Sequence, residues 1–176
     1  LMQAEIAIAS IASIFGEDFT FELVKIVTTG DKIQDKSLQE IGGKALFTKE
    51  IEEALLCGSA DIAVHSMKDV TASFPQELTF SSYLPRASSQ DALLGGFDSI
   101  AKLPSGASVG TSSSRRALFL KEMRQDLNIL PLRGNIPTRI KALHDGKFDA
   151  IILAAAGLER LQIDKSLYNL LPLDQF

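Results

Sequence analysis

Apolar and polar positions in the first half of the chain predict helices and strands in alternation. Apolar side chains recur at helical spacing over residues 6–15, and the mostly apolar residues 19–27 predict a strand. Residues 28–40 are polar and without periodicity, which predicts a mobile loop. A second helical pattern ends at Gly58, and the continuous apolar residues 62–64 predict a strand buried on both faces.

The second half repeats this alternation after a linker. Residues 78–84 predict one more strand, and residues 85–90 form the best linker by composition. We therefore place a boundary between domains 1–84 and 85–176. Beyond it, short strands alternate with helices, which predicts an α/β fold with a mainly parallel sheet and helices on both faces. The predicted strands are 108–110, 127–130 and 148–153, and the predicted helices are 112–124, 136–144 and 154–161.

Four polar side chains follow the predicted strand that ends at Val64, namely His65, Ser66, Lys68 and Asp69. In α/β sheets, ligands bind beyond the carboxyl ends of the strands, so this combination of imidazole, hydroxyl, ammonium and carboxylate indicates an active site. The alternative is an ordinary polar loop, in which Ser66 caps a helix and Lys68 pairs with Asp69 in solvent. This segment alone favours neither interpretation.

Composition narrows the class of protein. The chain is 45% hydrophobic and 23% charged, as in an ordinary soluble globular protein. No apolar run reaches the roughly 18 residues of a membrane-spanning helix, and the start lacks the basic segment of a signal peptide, so we expect a cytoplasmic protein. A net charge of −4 argues against nucleic-acid binding. With two histidines and one cysteine, we expect neither a metal site nor a disulfide framework, and we interpret Cys57 as a partly buried thiol at a helix end.

Arginine is unevenly distributed along the chain. All seven arginines lie at or after Arg86, and five of them lie in segments in which an apolar strand leads into a helix. Guanidinium groups bind carboxylates bidentately, so such a cluster in an acidic protein predicts a small polyanionic ligand. The alternative is salt bridging with surface Asp and Glu, which would scatter arginines along helix faces. The five are Arg115, Arg116, Arg133, Arg139 and Arg160.

Two segments after predicted strands have the pattern of an anion site. Gly110-Thr-Ser-Ser-Ser114 runs from a strand into a helix, where backbone N–H groups and hydroxyls meet the helix N-terminus. Cations in the first helical turn are disfavoured unless an anion lies beside them, which strengthens this interpretation for the Arg115-Arg116 pair. Simple capping by Ser112 or Ser113 is the alternative, and it is compatible with anion binding. Leu132-Arg-Gly-Asn-Ile-Pro-Thr-Arg139 repeats the same logic.

Five blocks of the chain resemble, in order and spacing, the hydroxymethylbilane synthase family, also called porphobilinogen deaminase. The resemblance covers essentially the whole chain, although residues 1–22 match only as an amphipathic helix leading into a strand. It implies a two-lobed fold of the periplasmic-binding-protein type II class, in which residues 65–69 face the arginines across a ligand cleft. The blocks are Ile41-Gly-Gly-Lys-Ala-Leu-Phe-Thr-Lys-Glu50, Asp61-Ile-Ala-Val-His-Ser-Met-Lys-Asp69, Val109-Gly-Thr-Ser-Ser-Ser-Arg-Arg116, Leu132-Arg-Gly-Asn-Ile-Pro-Thr-Arg139 and Asp149-Ala-Ile-Ile-Leu-Ala-Ala-Ala-Gly-Leu-Glu-Arg160.

That family condenses four porphobilinogen molecules into the linear tetrapyrrole hydroxymethylbilane with release of ammonia, so the resemblance implies a transferase of tetrapyrrole biosynthesis. It also implies a covalently held dipyrromethane cofactor, with porphobilinogen and the growing pyrrole chain as the partners of a monomer. Each pyrrole carries an acetate and a propionate, which suits an arginine cluster. We expect Asp69 to be catalytic, because a fixed carboxylate stabilises cationic intermediates and can shuttle a proton. The resemblance assigns cofactor and substrate binding to Lys44, His65, Ser66, Lys68, Thr111, Ser113, Arg115, Arg116, Arg133, Gly134, Asn135, Arg139 and Arg160.

The chain departs from the family pattern at both ends. The family opens with a strand that carries an Arg-Thr-x-Ser-Pro-Leu-Ala motif and closes with a third domain, whose cysteine attaches dipyrromethane; neither is found in this sequence. Cys57 lies in the wrong context to replace that cysteine, so we expect a fragment that is inactive by itself. The competing hypothesis is a non-catalytic two-lobed binding protein for a small carboxylate ligand. It explains the arginines but neither the Lys68-Asp69 pair nor the Gly42-Gly43-Lys44 loop.

Overall fold

The computed structural model of the chain describes residues 2–29, 48–71, 73–174 and 176. These residues belong to two units, Leu1–Pro85 and Arg86–Phe176, which we name the first unit and the second unit. In the described ranges, no helix combines the length and the apolar character that crossing a membrane requires.

Two complete helices lie in the described part of the first unit. Helix α1 is Met2–Phe15, as the spacing of its apolar residues predicts. Helix α2 is Lys49–Leu56, and Gly58, two residues beyond its end, has φ +72°. The backbone N–H groups of Gly58 and Ser59 donate to carbonyls in the last turn of α2, a Schellman motif that requires the left-handed conformation glycine adopts easily. The predicted end of this helix is confirmed.

The strands predicted over residues 19–27, 62–64 and 78–84 do not form in the described part of the first unit. The backbone at Phe19 is extended, with φ −118° and ψ 133°, as its apolar neighbours predict. An extended segment becomes a strand only when a neighbour accepts and donates its backbone hydrogen bonds, and local sequence does not encode that neighbour. Ile62 is 61% exposed, so the prediction of a strand buried on both faces is wrong.

One mixed sheet organises the second unit. It consists of β1 (Asp91–Leu94), β2 (Ser108–Gly110), β3 (Asn128–Leu130), β4 (Ala150–Ala154) and β5 (Tyr168–Leu170). The order across the sheet is β3-β2-β4-β1-β5. Strand β2 is parallel to β3 and β4, whereas β1 is antiparallel to β4 and β5. Because β1 alone runs against the others, the prediction of a mainly parallel sheet is confirmed.

Helices cover both faces of this sheet, as predicted. They are α3 (Ser114–Met123), α4 (Ile136–His144) and α5 (Ala155–Arg160). Successive residues of a strand point to opposite faces, so Ile152 joins the core cluster that contains Leu120 of α3. Ile151 joins the second cluster, which contains Leu158 of α5 and packs against α4. The sheet is therefore sandwiched between two apolar layers.

The predicted and observed elements of the second unit differ mainly at the short strands. The bounds of β2 and α4 are confirmed, while α3, β3, β4 and α5 start within two residues of their predicted positions. Strands β1 and β5 were not predicted from the sequence. Residues 91–94 directly follow the predicted linker and residues 168–170 follow the last predicted helix, so both strands lie outside the alternation of strands and helices that located β2, β3 and β4.

Candidate active site

The carboxyl ends of β2, β3 and β4 lie at one edge of the sheet in the second unit. Thr111 follows β2, Arg133 follows β3, and α5 begins directly after β4. Because β1 runs in the opposite direction, its first residue, Asp91, lies at this same edge and pairs with Ala154, the last residue of β4. The two segments that predict an anion site therefore end at one edge, where α/β proteins bind their ligands.

One buried carboxylate holds the tandem arginines of α3. Asp91, whose side chain is 4% exposed, accepts from Nη2 of Arg115 through Oδ2 and from Nη2 of Arg116 through Oδ1, both at 2.6 Å. Arg116 is 13% exposed and also donates from Nη1 to the carbonyl of Ile152 at 3.2 Å. Arg115 is 53% exposed, and its guanidinium carbon lies 5.9 Å from the centroid of the Phe119 ring. The sequence predicted an anion beside Arg115 and Arg116, but it did not predict that this anion is the carboxylate of Asp91.

The hydroxyl groups before α3 hold the loop in place. Ser113 caps α3, its Oγ accepting from the N–H of Arg116 at 3.4 Å, and Thr111 Oγ1 accepts from the N–H of Ser113 at 3.2 Å. Ser112 Oγ donates to the carbonyl of Leu132 at 2.7 Å and accepts its N–H at 3.0 Å. Capping by Ser113 is thus confirmed. It uses oxygen lone pairs, so the hydroxyl hydrogens of Thr111 and Ser113 can still donate to a ligand.

The Arg133–Arg139 segment forms a tight turn into α4. Gly134 has φ +95°, and a Cβ there would lie 2.8 Å from Cγ2 of Thr138, so this position requires glycine. Asn135 caps α4, and its Oδ1 accepts from the N–H and the hydroxyl of Thr138 at 2.9 and 2.7 Å. That oxygen therefore serves the helix, and of the Asn135 side chain only the amide NH₂ stays available to a ligand. Arg139 Nε donates to the carbonyl of Gly134 at 2.7 Å.

Positive charge accumulates at this edge. Burial lowers the pKa of Arg139 from its usual value, and the neighbouring cations Arg116 and Arg133 lower it further. These guanidiniums are thus close enough to repel one another, and Asp91 offsets only part of their charge. An anionic ligand would relieve that repulsion.

The residues predicted in the first unit lie on a short turn. Met67–Asp69 forms a single 3₁₀ turn, in which Lys68 and Asp69 are exposed and His65 just before it is half-buried. Ser66 exchanges hydrogen bonds with the side chain of Gln3 at 2.8 and 3.1 Å and makes no side-chain cap. No ion pair joins Lys68 to Asp69 among the described residues. The interpretation as an ordinary polar loop predicted both a Ser66 cap and this ion pair, and the described structure has neither. That these residues face the arginines across a cleft stays a prediction.

The described structure does not join the remaining two predicted site residues, Arg160 and Lys44, to this cluster. Arg160 is the last residue of α5, and in the described ranges no hydrogen bond or ion pair joins it to the other arginines. Lys44 lies outside the described residues, as does the predicted loop from residue 30 onwards.

Cys57 is at a helix end as predicted but is exposed, so the prediction of partial burial is wrong. Hydrogen bonds with Ser59 lower the pKa of its thiol. The described residues bring no three His, Cys, Asp or Glu side chains together as metal ligands.

Asp91 is the residue that the sequence analysis missed. The sequence shows that Asp91 directly precedes the apolar residues Ala92-Leu93-Leu94, but not that these residues form a buried strand, in which a carboxylate at the first position requires a cationic partner.

Known proteins resemble the chain along its whole length. The family model for the dipyromethane cofactor binding domain of porphobilinogen deaminase matches residues 1–176. Porphobilinogen deaminase of Sulfurimonas denitrificans is 52% identical over 86% of this chain and 49% of its own length. The Rickettsia prowazekii and Limosilactobacillus reuteri enzymes of that name are 47% and 44% identical over 96% and 100% of this chain, and 56% and 58% of their own lengths. This chain thus spans about half the length of these relatives, and it belongs to the porphobilinogen deaminase family.

Proposed function

We propose that this chain is the part of a porphobilinogen deaminase that binds the dipyrromethane cofactor and the pyrrole substrate. The complete enzyme would be a transferase that condenses four porphobilinogen molecules into hydroxymethylbilane and releases ammonia. The observation that carries this proposal is the accumulation of guanidinium groups at the sheet edge of the second unit, with the buried carboxylate of Asp91 among them. Family membership gives that anion site its chemical class, a pyrrole with acetate and propionate groups.

The residues at the edge fit a cofactor that carries carboxylates. Nε of Arg116 is buried and has no hydrogen-bond acceptor among the described residues, so an acceptor supplied by a ligand would remove the cost of an unpaired donor. Arg139 uses only Nε for the Gly134 carbonyl, which leaves its terminal nitrogens to bind a carboxylate. When bound, dipyrromethane supplies a pyrrole ring whose free α-carbon is the position to be extended. Arg115, Arg116, Arg133 and Arg139 would bind its acetate and propionate groups.

Smaller groups complete the binding surface in this proposal. The hydroxyls of Thr111 and Ser113 donate to ligand oxygens while their lone pairs hold the start of α3. The lack of a side chain at Gly134 lets a ligand approach the backbone closely. Arg160, by its place at the far end of α5, would contact only a longer pyrrole chain.

The first unit would contribute the catalytic group. Asp69 stabilises positive charge as it develops on the substrate, accepts a hydrogen bond from a pyrrole N–H and moves the proton that the condensation releases. His65, Ser66 and Lys68 from the same segment, together with Lys44, bind ligand carboxylates. We also propose a two-lobed architecture of the periplasmic-binding-protein type II class, with the ligand in the cleft between the lobes. The complete enzyme would be a monomer in the cytoplasm.

A non-catalytic binding protein for a carboxylate ligand would use the same arginines. Family membership favours the enzyme, because each of the relatives compared carries the name of a deaminase.

Replacing Asp69 by asparagine in the enzyme expressed from its complete gene tests the proposal. We expect turnover of porphobilinogen to fall by about 10²-fold or more with little change in KM, because a preorganised charge that acts in the transition state is lost. The matched control is Asp61→Asn, an exposed carboxylate in the same segment, which should leave turnover unchanged. Normal turnover in Asp69→Asn would remove Asp69 from the mechanism. A wild-type enzyme that forms no tetrapyrrole would refute the function itself.

A further inference from the structure

Hydrogen bonds to both neighbouring segments hold the backbone at Asp91. Its carbonyl accepts the N–H of Leu171 at 2.8 Å, and the carbonyl of the preceding Gln90 accepts the N–H of Ala155 at 3.0 Å. The side chain of Gln90 adds a hydrogen bond to the carbonyl of Leu171 at 3.2 Å. Strand β1 lies between β4 and β5, so neighbours on both sides fix its start. The carboxylate therefore projects from a backbone that has little freedom to shift.

The tandem arginines need such an anchor. Arg115 and Arg116 are the second and third residues of α3, where the positive end of the helix dipole disfavours cations. Their guanidiniums also repel each other, and an exposed arginine has several rotatable bonds through which to move away. Asp91 gives one oxygen to each guanidinium, which holds both at a fixed separation.

This arrangement leaves donors free for a ligand. Asp91 engages only Nη2 of Arg115, so Nε and Nη1 of that half-exposed side chain have no acceptor among the described residues. The ring of Phe119 contacts the same guanidinium from within α3. A side chain that is 53% exposed is thus held by two contacts while its remaining donors reach solvent. A surface salt bridge that served stability alone would need no such arrangement.

We infer that Asp91 is a positioning residue of the anion site: its carboxylate orients Arg115 and Arg116 so that their remaining donors meet a ligand carboxylate. The inference rests on the proposed function for the identity of the ligand, but the orientation itself is a property of the free protein. It gives Asp91 a role in binding although it repels the ligand electrostatically.

The charge of Asp91 should weaken the binding of an anion, whereas its positioning of the arginines should strengthen it. A binding experiment can therefore separate the two effects. The probe is porphobilinogen, titrated into the chain by isothermal calorimetry for wild type, Asp91→Asn and Asp91→Glu. Removing a negative charge should tighten anion binding if Asp91 acts only through its charge. We expect weaker binding instead, by about 10-fold, because the two guanidiniums lose their common acceptor and must be ordered by the ligand. Asp91→Glu keeps the charge but displaces the carboxylate, so it should also weaken binding. Asp98→Asn, an exposed carboxylate of the second unit, is the control and should bind normally.

Side-chain NMR tests the orientation without any variant. We expect the Nε–H group of Arg115 to show the restricted motion of an ordered side chain, in contrast to the exposed Arg86, although both are accessible to solvent. Arg115 as mobile as Arg86 would overturn the inference, even if Asp91→Asn fails to fold. Equal or tighter binding by a folded Asp91→Asn would also overturn it. No binding of porphobilinogen by wild type, with an ordered Arg115, would refute the proposed ligand and leave the positioning role intact.

Discussion

The two units of this chain differ in how they use similar sequence patterns. In the second unit, apolar runs pair into a sheet, and every fully buried apolar side chain among the described residues lies there. In the first unit, the equally apolar segment that starts at Phe19 stays largely exposed and pairs with no described strand. The catalytic aspartate is proposed in the first unit, whereas the anion site is proposed in the second.

The comparison shows that apolar composition alone does not make a core. Strands β2 and β4 contain only three and five residues, but each has hydrogen-bonded neighbours and helices on both faces. The stretch of residues 19–27 is longer and has neither among the described residues. Burial follows from tertiary pairing, so a rigid anion site can be built on short strands while a longer apolar segment remains open.

Hydrogen exchange should show the largest difference between the units. We expect amides of Ala150–Ala154 in β4 to exchange at least about 10³-fold more slowly, after correction for sequence, than amides of residues 19–27. The physical reason is that a β4 amide must break its sheet to reach solvent, whereas the first-unit segment has no ladder in the described structure. Mass spectrometry of peptic peptides from the 176-residue chain measures both regions in one sample. Equal protection would mean that residues 19–27 pair after all, and the contrast between the units would fail.

The second-largest difference we expect is in the loss of stability that the same substitution, leucine to alanine, causes in each unit. Leu93→Ala in β1 removes a side chain that is 1% exposed and should lower the free energy of unfolding by about 2–5 kcal/mol. Leu23→Ala in the first unit, where the side chain is 46% exposed, should change it by less than about 1 kcal/mol. Urea denaturation followed by circular dichroism gives both values.

A control within the second unit separates burial from location. Leu118 lies on α3 but is 72% exposed, so Leu118→Ala should behave like Leu23→Ala and not like Leu93→Ala. If Leu118→Ala destabilised the chain as strongly as Leu93→Ala, the difference between the units would not come from burial. A large loss from Leu23→Ala would show that the first unit has a core of its own.

The sequence allowed most of the second unit to be predicted, because its elements have local signals. Helix α4 follows from Pro137 in its first turn, and β2 from its place at the Gly110-Thr-Ser-Ser-Ser114 segment that leads into a helix. Strand β1 could not be found in this way, because it directly follows the linker and its direction depends on β4. The predictions of strands in the first unit are wrong for the opposite reason. Their local sequence signal is strong, but a strand also needs a hydrogen-bonded neighbour, which local sequence does not encode.

The same distinction applies to the candidate site. The arginines could be found because Arg115 and Arg133 stand next to glycine- and serine-rich turns that mark strand ends. Their common partner, Asp91, is 24 residues away from Arg115 along the chain, and only the antiparallel course of β1 brings it to the same edge. Capping by Ser113 and Asn135 was within reach of local rules, but the electrostatic coupling of Arg139 to Arg116 was not.

Acid should weaken the second unit through carboxylates that accept hydrogen bonds, and this is the smallest effect we expect. Asp149 accepts from the N–H and the hydroxyl of Ser108 at 2.7 and 2.6 Å, which joins the starts of β2 and β4 and lowers the pKa of the carboxyl. A carboxyl whose pKa is lowered by folding stabilises the fold above its unfolded pKa of about 3.9, and the stabilisation is lost as pH falls through the folded value. Stability should therefore be constant from neutral pH to about pH 5 and decline below about pH 4.

Asp149→Asn isolates this contribution, because asparagine resembles the protonated carboxyl and does not titrate. The variant should be less stable than wild type at pH 7, and the difference should shrink towards zero as pH falls through the lowered pKa of Asp149. Asp98→Asn, which removes an exposed carboxylate without a described hydrogen bond, should give no pH-dependent difference. Thermal unfolding at a series of pH values measures both. A constant difference between Asp149→Asn and wild type at every pH would show that the Ser108 contact acts through packing and not through charge, and the acid sensitivity of the second unit would then need another carboxylate.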